Sequence, residues 1–250
     1  MNNIYIYNNF YELLKLIDIL IKHNIKPYNI KDEMYNPTLF DNIIKLDLTN
    51  NKEIINHYIK TIGINNFNII YKVFLSNENN KELIIFYYYL NCLKYKENTM
   101  YMRNLKCVNE ALKINKYVGY ETHKLKGFVR FKELNNKVLY AEIEPTNNCI
   151  GLLTNHFKKR LKNEYFVIVD NKRNLISIYD KKDIIITNKD NIKIDELKYS
   201  DKELEIENLW TTFYKTIGIK ERKNDRCRMN FMPKKYWKYI IEMSDEVWKK

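Results

Sequence analysis

The sequence predicts an α+β fold with a mostly helical N-terminal half, and two observations support that prediction. Apolar residues recur at helical spacing through most of the first 120 positions. After residue 120 the spacing changes to alternation in several short runs, which turn-forming asparagines separate. We therefore expect a mostly helical region over 1–120 and an α+β region over 121–250, or a single compact domain that contains both.

The N-terminal half begins with a short predicted strand at Ile4–Tyr7. From Phe10 onward the apolar positions follow the i, i+3, i+4, i+7 spacing of a helix with one apolar face. Asn9, with Glu12 three residues later, is expected to cap that helix. Prolines and asparagines predict a loop over 26–50. Further helices are predicted at about 51–61, 65–75, 79–95 and 101–118.

Two hairpins separated by a helix open the predicted C-terminal half. The first hairpin joins Gly127–Phe131 to Val138–Ile143, and the second joins Phe166–Asp170 to Leu175–Tyr179. A helix is expected between them at about 149–161. The remaining predicted elements are a strand at Ile184–Ile186, a helix that starts at a Ser200 capping box and stops at Gly218, and a last helix with Pro233 at its first position.

Basic residues outnumber acidic ones, and their distribution is uneven. The chain has 43 Lys and Arg against 31 Asp and Glu, for a formal net charge of +12. Such a charge attracts polyanions, nucleic acid first and acidic membranes or proteins second. AT-rich codons alone would enrich Lys, but they do not explain the nine basic and only two acidic residues in segment 215–238. The position of the charge therefore indicates function better than its total.

Aromatic residues interleave with the basic ones in 215–238, a combination that suits stacked bases and gripped phosphates. The predicted phosphate-binding residues are Arg222, Arg226, Arg228, Lys234 and Lys235, with Trp237 or Tyr236 near a base. A second basic surface is predicted at Arg130, His156 and Arg160. The alternatives are a solvated basic loop beside an aromatic core stripe and, for the second surface, a helix C-terminus whose dipole favours cations.

No catalytic motif identifies an enzyme. The signatures of zinc deaminases, phosphate-binding loops and serine hydrolases are absent. The four cysteines contain no CxxC pair, so we expect buried free thiols and no metal or cofactor in this chain. The polar candidates for acid–base or metal roles are His123, Glu144, His156 and Asp170, which are alternatively ordinary strand, helix and turn residues.

The sequence shows neither a membrane-spanning segment nor a signal peptide. No run of about 18 apolar residues occurs, and the N-terminus lacks a basic region that leads into an apolar one. We therefore expect a cytoplasmic protein with no membrane partner.

A set of short motifs occurs along the chain in one characteristic order. They are Ile4–Tyr7 with its helix, Phe74–Ser76, His123–Phe131, Tyr140–Pro145, His156–Arg160, Phe166 with Asp170, Leu209–Tyr214, Glu221–Asn224 and Phe231–Trp237. In these motifs the chain resembles a family of proteins assigned to DNA metabolism or DNA repair. It departs from the family pattern at Asn8-Asn9-Phe10, where an Asp-Gly-Ser turn is usual.

The resemblance implies a partner protein. Such proteins are typically paired with a radical S-adenosylmethionine protein, and a related domain also occurs fused to uracil-DNA-glycosylase-like domains. This chain has no CxxxCxxC motif, so the resemblance assigns the iron–sulfur cluster and S-adenosylmethionine to the partner, and it transfers no catalytic residue. Three functions stay open: a DNA-binding accessory protein, a DNA-processing enzyme of nuclease or glycosylase type, and a protein-interaction module with a basic surface.

Overall fold

The computed structural model describes residues 2–48, 53–192, 198–222 and 224–243. It confirms the α+β class and the helical character of the N-terminal half. Contacts divide the chain into two compact units, a first unit of residues 1–119 and a second unit of residues 120–250. No helix in the described ranges is long and apolar enough to cross a membrane. Lys223, a member of the basic segment, lies outside the described residues.

The first unit contains a three-stranded parallel sheet of order β2-β1-β3. Its elements are β1 (Asn2–Tyr7), α1 (Phe10–Lys22), β2 (Asn29–Asp32), β3 (Asp41–Lys45), α2 (Glu53–Leu75), α3 (Lys81–Tyr95) and the first part of α4 (Lys106–Phe128). The predicted loop over 26–50 is wrong at β2 and β3. Both strands are short and mostly polar, and they pair in parallel with a distant strand, so no alternating local pattern marks them.

Helix α1 confirms the predicted cap and apolar face. The Asn9 side chain accepts a hydrogen bond from the backbone N–H of Glu12 at 3.1 Å. The Glu12 carboxylate in turn accepts from the backbone N–H of Asn8 at 2.9 Å, which completes a reciprocal capping arrangement. Leu13, Leu14 and other positions of the apolar face are fully buried.

Helix α2 contains a break at Gly63, where the backbone adopts φ 80° and ψ 154°. The two helices predicted over this region are its two halves, although residues 51–52 lie outside the described ranges. A left-handed φ of this kind favours glycine. A Cβ atom at this position would also lie 3.0 Å from Oε1 of Glu97. Glu97 is exposed and its flexible side chain can move away, so the backbone conformation is the main reason for glycine at this position.

The second unit is built on a five-stranded mixed sheet of order β4-β5-β6-β7-β8. Its elements after α4 are β4 (Lys132–Glu133), β5 (Leu139–Ile143), α5 (Ile150–Arg160), β6 (Phe166–Asp170), β7 (Leu175–Tyr179), β8 (Ile184–Asn188), α6 (Asp201–Ile217) and α7 (Asp225–Phe231). Strands β5 and β6 are parallel and are joined through α5, whereas the other neighbours are antiparallel.

The second unit confirms most of the predicted elements and corrects the first of its predicted strands. The β6–β7 hairpin, the helix between the hairpins and the strand at 184 are confirmed. The predicted strand at Gly127–Phe131 is wrong, because α4 continues to Phe128 instead of ending at 118. Val118, Leu125 and Val129 are buried at near-helical spacing. The helical spacing of these buried residues therefore determines the structure more strongly than the short alternation in 127–131. The outer strand of the first hairpin is the two-residue β4.

The ends of the last helices follow the predicted caps only in part. The Ser200 hydroxyl accepts from the backbone N–H of Glu203 at 3.1 Å, as predicted. The Glu203 carboxylate, however, accepts from the backbone N–H of Glu133 at 3.0 Å and so ties α6 to β4. Gly218 ends α6 as expected. The predicted last helix is a short 3-10 helix, Lys234–Tyr239, and Pro233 is its cap and not its first residue.

Candidate nucleic-acid interface

The basic segment 215–238 folds into short elements that turns separate. It comprises the end of α6, a 3-10 turn at Lys220–Arg222, α7 and the 3-10 helix Lys234–Tyr239. Asn224 begins α7 by accepting a hydrogen bond from the backbone N–H of Cys227 at 2.9 Å. This cap fixes the start of the helix that presents two of the predicted arginines.

Arg222 and Arg226 are the most available of the predicted phosphate-binding residues. Both side chains are exposed, and neither has a carboxylate within ion-pair distance among the described residues. Arg222 lines a groove of about 670 Å³ between the end of α6 and α7, where apolar side chains such as Tyr214 and Ile217 form the wall. Both guanidinium groups keep their donors for a ligand.

Arg228 is engaged within the protein, unlike the other two arginines. Its guanidinium forms an ion pair with Asp225 at 2.9 Å and lies 4.6 Å from the ring centroid of Trp237. The ammonium of Lys234 lies 5.7 Å from the same ring. Because both cations lie beside one aromatic ring, Arg228 of α7 and Lys234 of the 3-10 helix belong to one basic surface.

Trp237 and Tyr236 are core residues, so the base contact predicted for them is wrong. They are 5% and 3% exposed. The indole N–H of Trp237 donates to the carbonyl oxygen of Met232 at 2.9 Å, and the Tyr236 hydroxyl donates to Glu121 at 3.1 Å. The spacing of residues 236, 237, 240 and 243, all buried, is the sequence signal that identifies this face as core.

Phe231 is the exposed aromatic residue that the sequence prediction did not select. It ends α7 and is 74% exposed, and it falls outside the buried spacing of the last segment. A ring so placed between Arg228 and Lys234 along the chain is free to stack on a base.

Lys235 belongs to a buried polar network centred on Glu121. The Glu121 carboxylate is 5% exposed. It accepts hydrogen bonds from the backbone N–H groups of Thr146 and Asn147, both at 2.8 Å, and from the Lys235 ammonium at 2.7 Å. Burial alone would raise the pKa of Glu121, but the hydrogen bonds from Lys235, Thr146 and Asn147 lower it to about 2. Lys235 thus has a structural role in addition to any contact with a ligand.

Asp170 is fully buried and organises a turn and an ion pair. Its Oδ1 accepts from the backbone N–H groups of Lys172 and Arg173 at 3.0 and 3.3 Å, and its Oδ2 lies 3.1 Å from the Arg173 guanidinium. Burial raises the pKa of Asp170, although Arg173 opposes that shift. Arg173 also donates to the carbonyl oxygens of Pro145 and Thr146. Asp170 therefore holds together the loops that follow β5 and β6.

The predicted second basic surface is less available than the first. Arg130 forms an ion pair with Glu242 at 3.3 Å and donates to the carbonyl oxygen of Gly127 at 2.8 Å. Partial burial, followed by the charges of Lys126 and Arg160, lowers the pKa of His156. Only Arg160 is both exposed and without an ion-pair partner in the described part of the chain.

Arg160 and Lys235 lie at opposite ends of the parallel strands β5 and β6. Helix α5 connects the end of β5 to the start of β6, so Arg160 at its last turn lies where β6 begins. Lys235 contacts Thr146, which follows the end of β5. Helix α5 runs from one end of these strands to the other, and its eleven residues span about 16 Å. Arg160 therefore does not lie beside Lys235, whereas Arg130 of the same predicted surface lines one groove with Lys238.

The four polar candidates for catalysis do not converge. His123 is exposed on α4. Glu144 forms an ion pair with Lys238 and accepts from the Tyr239 hydroxyl at 2.9 Å, and those two contacts lower its pKa. No three His, Cys, Asp or Glu side chains in the described ranges are grouped so that they could hold a metal ion.

Comparison with known sequences places most of this architecture in one family. A family-wide sequence profile, described as a domain of unknown function, DUF4130, matches residues 79–242. The chain belongs to the DUF4130 family. No curated protein and no solved structure matches the chain. The DUF4130 segment contains α3, α4, the complete basic segment and the Glu121 network. Its description assigns no activity, so the function is argued from the site.

Proposed function

We propose that the second unit binds nucleic acid, and DNA in particular, with Arg222, Arg226 and Lys234 as the phosphate-binding residues. The observation that supports this function most strongly is the exposure of Arg222 and Arg226 without carboxylate partners among the described residues. An arginine that is not paired keeps its two parallel donors for a phosphate group. Lys234 extends the same surface through its contact with Trp237.

Phe231 supplies the base contact in this proposal. Its ring is exposed, and its place in the chain is between the arginines of α7 and the lysines of the 3-10 helix. A base that stacks on such a ring gains about 1–3 kcal/mol with little dependence on its identity. We therefore expect single-stranded DNA to bind more tightly than duplex of the same length.

The resemblance to DNA metabolism and repair proteins supports an accessory role beside a radical S-adenosylmethionine partner. In this role the chain holds the DNA, and the partner supplies the iron–sulfur cluster and S-adenosylmethionine.

A protein-interaction module is the second candidate, and a specific observation on α6 favours it. Its exposed apolar side chains lie on one face at helical spacing; they are Ile206, Leu209, Trp210, Phe213 and Ile217. A contiguous exposed apolar face of this kind is typical of a protein contact surface. Ile217 at the end of this face lines the same groove as Arg222, so the apolar face borders the basic surface, and the accessory role and the interaction module are compatible.

The proposal is tested by binding of labelled single-stranded and duplex DNA across a salt series. The double variant Arg222→Ala/Arg226→Ala removes two phosphate contacts, so the slope of log affinity against log salt should fall by about 1.4 for single strands and about 1.8 for duplex. The matched control Arg103→Ala/Lys26→Ala removes two exposed charges from the first unit and should leave the slope unchanged. Equal losses in both double variants would contradict the assigned surface, and no binding at low salt would contradict the function.

The accessory role is tested with the purified radical S-adenosylmethionine partner protein. Phe213→Ser removes an exposed apolar side chain from the centre of the α6 face and should weaken partner binding without changing DNA affinity. Partner binding that depends on Arg222 and Arg226 instead would favour an acidic protein as the ligand of the basic surface.

A further inference from the structure

A basic cleft lies at the carboxyl edge of β5 and β6 in the second unit. Its volume is about 460 Å³. Three separate segments form it: the loop after β5, the loop after β6 and the 3-10 helix Lys234–Tyr239. The cleft is lined by Lys172, Lys234, Lys235, Lys238, Glu144, Pro145 and Thr146. Of these residues, only Lys234 and Lys235 belong to the predicted phosphate-binding set.

Two buried carboxylates fix the walls of this cleft. Glu121 accepts the backbone N–H groups of Thr146 and Asn147 and holds the Lys235 ammonium. Asp170 orders the turn at Lys172 and pairs with Arg173, which donates to the carbonyl oxygens of the β5 loop. The lysines therefore lie on loops that are bound to each other, and a ligand does not have to order these loops.

The charges that line the cleft do not cancel. Lys235 is paired with Glu121 and Lys238 with Glu144, whereas Lys172 and Lys234 have no carboxylate within ion-pair distance among the described residues. Two positive charges remain in excess. The Lys235 ammonium is itself engaged by Glu121, Thr146 and Tyr236, so the excess charge is that of Lys172 and Lys234.

We propose that this cleft binds the terminal phosphate of a DNA strand. The proposal rests on the proposed DNA-binding function and specifies which part of the strand the lysines recognise. A terminal phosphate carries close to two negative charges at neutral pH and three strong acceptor oxygens, whereas an internal phosphodiester carries one charge. The two excess positive charges match the terminal group. Lys234 connects the cleft to the α7 surface through Trp237, so the rest of the strand can follow that surface.

The test compares strands that differ only at their ends. Labelled oligonucleotides of one sequence carry a 5′-phosphate, a 3′-phosphate or hydroxyl groups at both ends, and a closed circular strand has no end. We expect one phosphorylated form to bind wild type about tenfold more tightly than the hydroxyl form, the effect of one or two charge-assisted hydrogen bonds. The circular strand should bind like the hydroxyl form.

The cleft variant is Lys172→Gln, which is exposed and lies outside the surface assigned to the strand. It should abolish the preference for the phosphorylated end and leave the affinity for the circular strand unchanged. Lys182→Gln removes a charge from another exposed loop of the same unit and should keep the preference. An unchanged thermal midpoint shows that each variant is folded.

The outcomes separate this proposal from the one on which it rests. Equal affinity of wild type for phosphorylated and hydroxyl ends would overturn the terminal-phosphate site, while salt-sensitive binding of the circular strand would leave the DNA-binding function standing. A preference that Lys172→Gln retains would also overturn the assigned cleft. Failure of wild type to bind any strand would overturn both.

Discussion

Glu121 allows the most quantitative prediction, because its carboxylate is buried and holds three parts of the second unit together. It binds the loop after β5 through Thr146 and Asn147, and it binds the last 3-10 helix through Lys235 and Tyr236. The variant Glu121→Gln keeps the size of the side chain. It removes the charge and replaces one acceptor oxygen by an N–H₂ group that faces other donors.

The magnitude follows from the pKa of the carboxyl group in the folded protein. Folding lowers the pKa of Glu121 from 4.5 to about 2, and each unit corresponds to about 1.4 kcal/mol of stability. The ionised carboxylate thus contributes about 3 kcal/mol, in the range found for breaking one partner of a buried ion pair. Because the folded pKa is depressed, this contribution is complete above pH 4.5 and is lost as the pH falls toward 2.

Urea unfolding followed by tryptophan fluorescence measures this contribution, since all three tryptophans lie in residues 120–250. At pH 7 Glu121→Gln should lower the free energy of unfolding by about 3 kcal/mol, and the gap to wild type should narrow at pH 3. Glu164→Gln, at an exposed position, should change it by less than about 0.5 kcal/mol. A loss below about 1 kcal/mol for Glu121→Gln, or a gap independent of pH, would refute the proposed role of the carboxylate.

Two further predictions concern the backbone and the thiols. Gly63→Ala should lower the free energy of unfolding by about 1–2 kcal/mol, because it forces a left-handed φ on a residue with a Cβ. The control is Gly127→Ala, since Gly127 lies in a helix with open space around it. This control should be neutral or should stabilise the protein by up to about 1 kcal/mol. Thermal unfolding by circular dichroism compares the two, and equal midpoints would contradict the assigned backbone. With iodoacetamide at pH 8, exposed Cys227 should react first, because burial raises the pKa of Cys149 to about 12. Mass spectrometry that finds equal labelling of both thiols would exclude this difference.

The sequence correctly predicts those elements whose stabilising contacts join residues close together in the chain. The capped α1, the β6–β7 hairpin and the Ser200 cap depend on residues within a few positions of each other, and all three are confirmed. Strands β2 and β3 were missed because their pairing partner is distant and their own residues are mostly polar. The end of α4 was misplaced because two patterns compete around residue 127, and burial decides between them.

Composition predicted which segment contains the candidate site, but it could not predict which of its side chains face solvent and which face the core. The concentration of charge in 215–238 predicted Arg222 and Arg226, which are exposed as expected. Composition could not show that Trp237 faces the core, nor that Lys235 is paired with a carboxylate that lies 114 residues away. Lys172 was not selected, because only the fold brings the loop after β6 next to the last 3-10 helix.

Salt-dependent DNA binding by wild type and Arg222→Ala/Arg226→Ala tests the central claim most directly. We predict that wild type binds single-stranded DNA with a steep dependence on salt, and that the double variant loses about two phosphate contacts from that slope. The control Arg103→Ala/Lys26→Ala should behave as wild type. Binding that is independent of salt, or equally strong in the double variant, would contradict the assignment of the basic segment as the DNA-binding surface.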